Sequence, residues 1–167
     1  MVEGFERDIR DIAAGLQDEV QQFSGRTVLL CGGHGFFGRY YVALFQFLNR
    51  HVLKEPCRLI VADNHITSGL SAIQESQVDG GYRFIFHDII QPLALEEPLD
   101  YIIHAAGIAS PYYYRKYPLE TLEVATTGTT HLLKLAQAHR LKGLLFFSSS
   151  EIYGDPDEAH VPTPESY

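Results

Sequence analysis

A run of apolar and β-branched residues leads directly into closely spaced glycines near the start of the chain. Thr27 to Cys31 form a short segment typical of a strand that is buried on both faces. Glycines follow at positions 32, 35 and 38, and an apolar pattern of helical period then continues to about His51. This order of strand, glycine turn and helix predicts the first βα unit of a parallel α/β domain.

The spacing of the glycines suits a turn that holds a dinucleotide. Gly32 would permit a tight turn, Gly35 would let the backbone approach a pyrophosphate, and Gly38 would let the helix pack close to the strand. The first N–H groups of the helix, which begins near Phe36 and Phe37, would then face the phosphates. An ordinary glycine-rich turn is the alternative interpretation.

Four further apolar segments predict strands, and helical patterns lie between most of them. The strands are expected at residues 58–62, 82–87, 100–106 and 143–147, and the helices at 3–23, 71–76 and 118–139. Connections of this kind give a parallel, doubly wound sheet with helices on both faces. The strand order 3-2-1-4-5 follows if the glycine turn lies at the switch point of the sheet.

The chain is expected to divide into three segments: an N-terminal helix at 1–25, a Rossmann-type domain at 26–154 and an extended tail at 155–167. The first helix carries an apolar stripe, for which packing against its own domain is favoured over binding a partner. The tyrosine-rich stretch at 110–114 is expected to be a loop that precedes the long helix.

Residues that follow the strands are expected to share one edge of the sheet, where the carboxyl ends of parallel strands meet. Asp63 ends the second strand, the position from which a carboxylate holds the adenosine ribose hydroxyls and repels a 2′-phosphate. This favours NAD over NADP, and a carboxylate that caps the following turn is the alternative. The same edge should collect Asp88, Ala105 to Gly107, and Ser148 to Glu151.

Composition limits the classes of partner. The 167 residues are 46% hydrophobic and 20% charged, as in a globular domain. A formal net charge of −8 argues against nucleic acid as a partner, and no apolar run approaches a membrane span.

Cys31 and Cys57 lack the spacing of a disulfide framework or a metal site, which suits the cytoplasm. His34, His87 and His104 lie at strand ends without ligand spacing to one another, so no metal site is expected.

In order and spacing, these motifs resemble the extended short-chain dehydrogenase/reductases of the NAD-dependent epimerase/dehydratase family, which modify nucleotide sugars. The matching segments are Gly32–Gly38, Asp63-Asn64, Thr67-Ser68-Gly69, His87-Asp88-Ile89, His104-Ala105-Ala106, Gly128-Thr129 and Ser148–Gly154. The resemblance implies NAD as cofactor. The residues implied to bind it are Gly32, Gly35, Phe36, Phe37, Gly38, Asp63, Asn64, Gly69, Asp88, Ile89, Ala105, Ala106 and Gly107.

Two segments resemble the UDP-glucuronate decarboxylases within that family: Ala109-Ser110-Pro111 followed by tyrosines, and Ser149-Ser150-Glu151. The resemblance implies oxidation of a UDP-sugar at C4, loss of carbon dioxide and re-reduction. Ser149 would hydrogen-bond the C4 oxygen, Glu151 would act near C5, and Ser110 and Tyr112 would contact the substrate. Sugar 4,6-dehydration and 4-epimerisation are the alternatives, and Ser149 could instead cap a helix.

Two departures from the family pattern favour a non-catalytic dinucleotide-binding module as an alternative of another class. Ala125 stands where the family usually has asparagine, and the catalytic Tyr-x-x-x-Lys beyond Glu151 is absent. Tyr112 and Lys116 match its letters but precede the long helix. We therefore expect the N-terminal cofactor-binding portion of a longer enzyme, inactive alone and without the substrate domain. The longer form should be a homodimer, and this portion should expose Leu122 or Leu133.

Overall fold

The computed structural model describes residues 2–67 and 82–167 and contains a five-stranded, entirely parallel sheet. The strands are β1 (Thr27–Cys31), β2 (Arg58–Asp63), β3 (Tyr82–Phe86), β4 (Tyr101–His104) and β5 (Gly143–Phe146). Their order in the sheet is β3-β2-β1-β4-β5, which confirms the predicted topology. Several strands end one or two residues from the expected positions, which is the usual uncertainty of element boundaries.

Helices cover the sheet and continue the alternation of strand and helix. They are α1 (Val2–Leu16), α2 (Phe36–His51), α3 (Pro111–Lys116), α4 (Pro118–Glu123) and α5 (Thr129–His139). Short 3-10 segments lie at Gln17–Phe23, Ser150–Tyr153 and Glu158–His160, the last of them inside the tail that was expected to be extended. The helix expected at 71–76 lies outside the described residues.

The central strand supplies core residues to both faces of the sheet. On one face, Leu29 packs in a cluster with residues of β2, β4 and α5, including Leu132. On the other face, Val28 and Leu30 pack with Phe45 of α2. All five residues of β1 are buried, which explains why the strand is continuously apolar rather than alternating. Each buried leucine contributes roughly 1.5–3 kcal/mol to folding.

The N-terminal helix packs against its own domain, as favoured above. Ile9 and Ala13 of α1 form a buried cluster with Val20 and with Leu44 and Leu48 of α2. The α-helix ends at Leu16, and the 3-10 segment that follows begins at Gln17 with a φ of 48°.

The expected loop at 110–114 is wrong, because these residues begin the short helix α3. Pro111 occupies its first turn, where a fixed φ suits a helix and no N–H is needed. The N–H groups of Tyr113 and Tyr114 both donate to the carbonyl of Ser110, at 2.9 Å each. The three tyrosines therefore lie in a short helix of about one and a half turns that follows β4.

The long helix expected at 118–139 is not continuous: a π-helical segment, Val124–Gly128, separates α4 from α5. Threonine hydroxyls bond helix carbonyls through this region, including Thr126 to Leu122 at 2.8 Å and Thr129 to Ala125 at 2.7 Å. Such hydroxyls compete with backbone N–H groups for the same acceptors. Gly128 also packs tightly, since a Cβ there would lie 2.9 Å from Cδ1 of Ile89.

Apolar residues remain exposed on the outer face of these helices. Leu122 and Leu133 are 60% and 50% exposed, which confirms that expectation. Within the described ranges, no helix has both the length and the apolar character needed to cross a bilayer.

Candidate functional site

A cleft opens where β1, β2 and β4 end. Its lining includes the expected cofactor-binding residues Gly32, Gly35, Asp63, Asn64, Asp88, Ile89, Ala105, Ala106 and Gly107. It also includes residues that were not among those expected to bind the cofactor, namely Ala62, Ile66, Thr67, His87, Ile90, Ile108, Glu120 and Val124. Several of these belong to α4 and to the turns after β2 and β3, whose approach to the cleft depends on tertiary packing.

Two glycines of the turn are required by the fold itself. Gly32 has a φ of +82°, and a Cβ there would lie 2.6 Å from the Cα of Ala106. A Cβ on Gly38 would overlap the carbonyl oxygen of Gly32 and the backbone of Gly33. These positions have the conformational and packing requirements expected of the first and third glycines of the turn.

Gly35 differs, because a side chain there would have one close contact within the fold and no overlap. A Cβ there meets only the carbonyl oxygen of Gly32, at 3.3 Å, and the φ of −71° suits any residue. Gly107, across the cleft, has no atom within 4 Å of an added Cβ. Both positions therefore leave the backbone accessible to a group that enters the cleft.

The helix α2 begins immediately after Gly35, which is its N-cap. The N–H groups of its first turn have no partners within the helix and carry a partial positive charge. The side chains of Phe36 and Phe37 are 66% and 57% exposed and do not line the cleft. Any contact of these two residues with a ligand in the cleft would therefore be made by the backbone.

Asp63 links the end of β2 to the glycine turn. Its Oδ2 accepts a hydrogen bond of 2.9 Å from the N–H of His34, and its Oδ1 accepts one of 2.7 Å from the N–H of His65. The carboxylate is thus a turn cap and also lines the cleft. Each carboxylate oxygen can accept a further hydrogen bond, so capping is compatible with holding a ligand hydroxyl.

A second polar pair joins the ends of β2 and β3. The side-chain amide of Asn64 donates to Asp88 at 2.9 Å, and its oxygen accepts from the N–H of Ile66 at 3.1 Å. The other oxygen of Asp88 accepts from the N–H of Ile90, also at 3.1 Å. These bonds fix both side chains at the cleft wall.

Next to this wall lies a pair of histidines that the sequence analysis missed. Nδ1 of His34 is 2.7 Å from Nε2 of His65, and the rings of both stack with Phe84. Burial lowers the pKa of His34 and His65 lowers it further, whereas Asp63 acts in the opposite direction. His65 lies 31 residues after His34, and a separation of that length along the chain carries no ligand-spacing signal.

The residues expected to act on a substrate do not line the cleft. Ser149 is the N-cap of the Ser150–Tyr153 segment, and its Oγ accepts from the N–H of Glu151 at 3.2 Å. The side chain of Glu151 is exposed, and Tyr112 is 67% exposed on α3. Gly69, expected at the cofactor, lies outside the described residues.

Comparison with known proteins assigns the chain to a protein family. Residues 28–167 match the family model described as "NAD dependent epimerase/dehydratase family". The chain is 35% identical over 144 residues to UDP-glucuronic acid decarboxylase 5 of Arabidopsis thaliana, covering 86% of this chain and 39% of the relative. It is 30% identical, over an alignment 179 residues long, to UDP-glucuronic acid decarboxylase 1 of Xenopus tropicalis, and the match covers 97% of this chain and 40% of the relative.

Among solved structures, the chain is similar to UDP-glucose 4-epimerase from Bifidobacterium longum in complex with NAD+ and UDP. The TM-score is 0.58 and the identity 25%, with 79% of this chain and 39% of that chain covered. The chain therefore spans about two fifths of the length of the proteins that it matches.

Proposed function

Because the chain belongs to the NAD-dependent epimerase/dehydratase family, we propose that it is the cofactor-binding part of an enzyme that modifies a nucleotide sugar. We favour UDP-glucuronate as the substrate and decarboxylation as the reaction. The observation that carries the cofactor assignment is Asp63, which stands at the end of β2 in the same cleft as the open backbone of Gly35.

The cleft fits NAD in three respects. The exposed backbone at Gly35 and the first turn of α2 would hold the pyrophosphate. Asp63 would accept hydrogen bonds from the adenosine ribose hydroxyls, and its charge would disfavour a 2′-phosphate. Asn64, Asp88 and Ile89 would contact the adenosine end, and the small residues from Ala105 to Gly107 would admit the remainder of the dinucleotide.

When bound, NAD would accept a hydride from C4 of the sugar and later return it. Ser149 would orient the C4 oxygen: its Oγ already accepts from Glu151, and its hydroxyl proton remains available to donate. Glu151 would act near C5 as an acid, a base or a means of holding water. Ser110 and Tyr112, at the start of α3, would contact the sugar nucleotide.

The curated relatives support decarboxylation over the other reactions of the family. Those quoted above are UDP-glucuronic acid decarboxylases and are at least 30% identical. The structural similarity to a UDP-glucose 4-epimerase supports 4-epimerisation as the second candidate. Ala125, on the π-helical segment beside the cleft residue Val124, supports the alternative of a module that binds NAD without catalysis.

Two measurements test the proposal in sequence. Calorimetric titration of the 167-residue chain should show NAD⁺ binding; its absence would overturn the cofactor assignment. A polypeptide from a reading frame that continues into a Tyr-x-x-x-Lys motif should convert UDP-glucuronate with loss of the mass of carbon dioxide. Mass analysis with a nucleotide-linked glucose would detect dehydration as a loss of water. A product of unchanged mass would favour epimerisation instead.

A further inference from the structure

We propose that His34, His65 and Asp63 form a binding site for a divalent transition-metal ion of the Zn²⁺ class, beside the cleft where β1 and β2 end. Each residue offers one ligating atom, and these atoms all lie within 4.8 Å of one another. Two imidazoles and one carboxylate are a donor set that suits Zn²⁺ and leaves a fourth position for water. This proposal goes beyond the cofactor assignment and does not depend on it.

The backbone already arranges the three residues around one point. Asp63 accepts hydrogen bonds from the main-chain N–H groups of both histidines, so the turn after β1 and the turn after β2 are tied to the same carboxylate. The ligating groups are therefore brought together by the fold and do not depend on mobile side chains finding one another. Each oxygen of Asp63 keeps a lone pair beyond its bond to the backbone.

The distance between the imidazoles is close to that of a metal site. Nδ1 of His34 and Nε2 of His65 are 2.7 Å apart. With Zn–N bonds of about 2.0–2.1 Å and tetrahedral angles, two ligating nitrogens lie about 3.3 Å apart. Entry of an ion thus requires the two nitrogens to separate by about 0.6 Å and the carboxylate of Asp63, whose ligating oxygen lies within 4.8 Å of both, to reach a similar distance from them.

His65 is held in a way that packing alone does not require. Its φ is +57°, which is uncommon for a residue other than glycine. The side chain is only 8% exposed and stacks on Phe84 at 5.3 Å. Among the described residues, its Nδ1 has no hydrogen-bond partner. Its Nε2 lies 2.7 Å from Nδ1 of His34, so the imidazole supplies a nitrogen to the cluster that a phenylalanine filling the same space would lack.

The test is equilibrium dialysis of the 167-residue chain against Zn²⁺ alone. No nucleotide is added, because Asp63 is also the proposed ribose ligand. We expect one ion per chain, and a loss of affinity of more than about tenfold in each of His34→Ala and His65→Asn. Asparagine is chosen at position 65 because it tolerates a positive φ.

His160→Ala is the matched control, since it removes another imidazole next to a carboxylate, 2.7 Å from Asp157, on the exposed surface. It should leave the affinity unchanged. Retention of binding in both cluster variants, or loss of it in the control, would overturn the proposal.

If a cluster variant loses its circular dichroism spectrum, X-ray absorption of the Zn²⁺-loaded unmodified chain decides the question. Two imidazoles in the coordination shell are expected. A shell without imidazole, or no bound ion, would show that the three residues are not a metal site.

Discussion

The carboxylate of Asp63 accepts a hydrogen bond of 2.9 Å from the N–H of His34, so the end of β2 holds the glycine turn that follows β1. The bond joins two neighbouring parallel strands at the edge where the cleft opens. A substitution of Asp63 therefore changes both the turn and the proposed ribose contact, and a useful experiment must separate the two effects.

Asp63→Asn should reduce the preference for NAD⁺ over NADP⁺, because it removes the charge that would repel a 2′-phosphate. We expect NAD⁺ binding to weaken by roughly 1–3 kcal/mol, with a smaller loss for NADP⁺. Calorimetric titration with both cofactors measures the ratio of affinities. Distortion of the turn alone would weaken both cofactors equally and leave that ratio unchanged.

Asp100→Asn is the matched control for this experiment. Asp100 also accepts a main-chain N–H, that of Thr27 at 3.0 Å, but it precedes β4 at the opposite end of the sheet from the cleft. The ratio of NAD⁺ to NADP⁺ affinity should not change in this variant.

Gly35→Val should abolish binding of NAD⁺ while the chain stays folded. The added side chain would occupy the space next to the backbone where the pyrophosphate is proposed to lie, and within the fold its Cβ would have a close contact only with the carbonyl oxygen of Gly32, at 3.3 Å. Gly38→Ala should instead lose the native circular dichroism spectrum, because its Cβ would overlap the backbone of the turn. Tight NAD⁺ binding by folded Gly35→Val would contradict the proposed position of the pyrophosphate.

Stability should fall as the pH decreases below about 6.5, with His104 as one cause. Its side chain is 1% exposed, and burial lowers its pKa from 6.5, although a hydrogen bond to the Val124 backbone opposes this. Below pH 6.5 the unfolded chain therefore binds a proton that the folded chain does not, and unfolding becomes easier. Well above pH 6.5, His104 is neutral in both the folded and the unfolded chain, so it no longer lowers the free energy of unfolding.

Denaturant unfolding at pH 7 and pH 5 measures this effect. In His104→Leu, the difference in the free energy of unfolding between the two pH values should be smaller than in the unmodified chain. The hydroxyl of Thr129, which lies 3.1 Å from His104, keeps its bond to the carbonyl of Ala125, so the variant leaves no new unpaired donor there. An equal or larger pH difference would show that another group causes the acid sensitivity.

The 167-residue chain should not turn over UDP-glucuronate in the presence of NAD⁺. Tyr112 and Lys116 match the letters of the family's catalytic pair, but neither lines the cleft. Lys116 lies 5.0 Å above the ring of Tyr117, and a hydrogen bond to that tyrosine raises its pKa. The assay follows NADH and carbon dioxide. Turnover that disappears in Tyr112→Phe would show that this pair supplies the base after all.

Local sequence patterns determined much of the architecture. The continuous apolar run at Thr27–Cys31, the glycines that follow and the helical period of α2 predicted the first βα unit and, with the later strands, the order of the sheet. These patterns are informative because burial on both faces demands an uninterrupted apolar strand and because the turn tolerates only glycine at positions 32 and 38. Residues that end parallel strands must also share one edge, so most of the cleft lining could be anticipated.

Only the tertiary structure decided which side chains meet at that edge. The pairing of Cys31 with Ala62 aligns β1 with β2. Asp63 thereby accepts hydrogen bonds from the main-chain N–H groups of both His34 and His65, although His34 is far from His65 along the chain. Neither the local period nor the composition around His34 carries information about a partner 31 residues away. Gly128, which ends the π-helical segment, likewise packs against Ile89, a contact between distant parts of the sequence. Strand register and helix packing are properties of the whole fold, and local patterns do not specify such contacts.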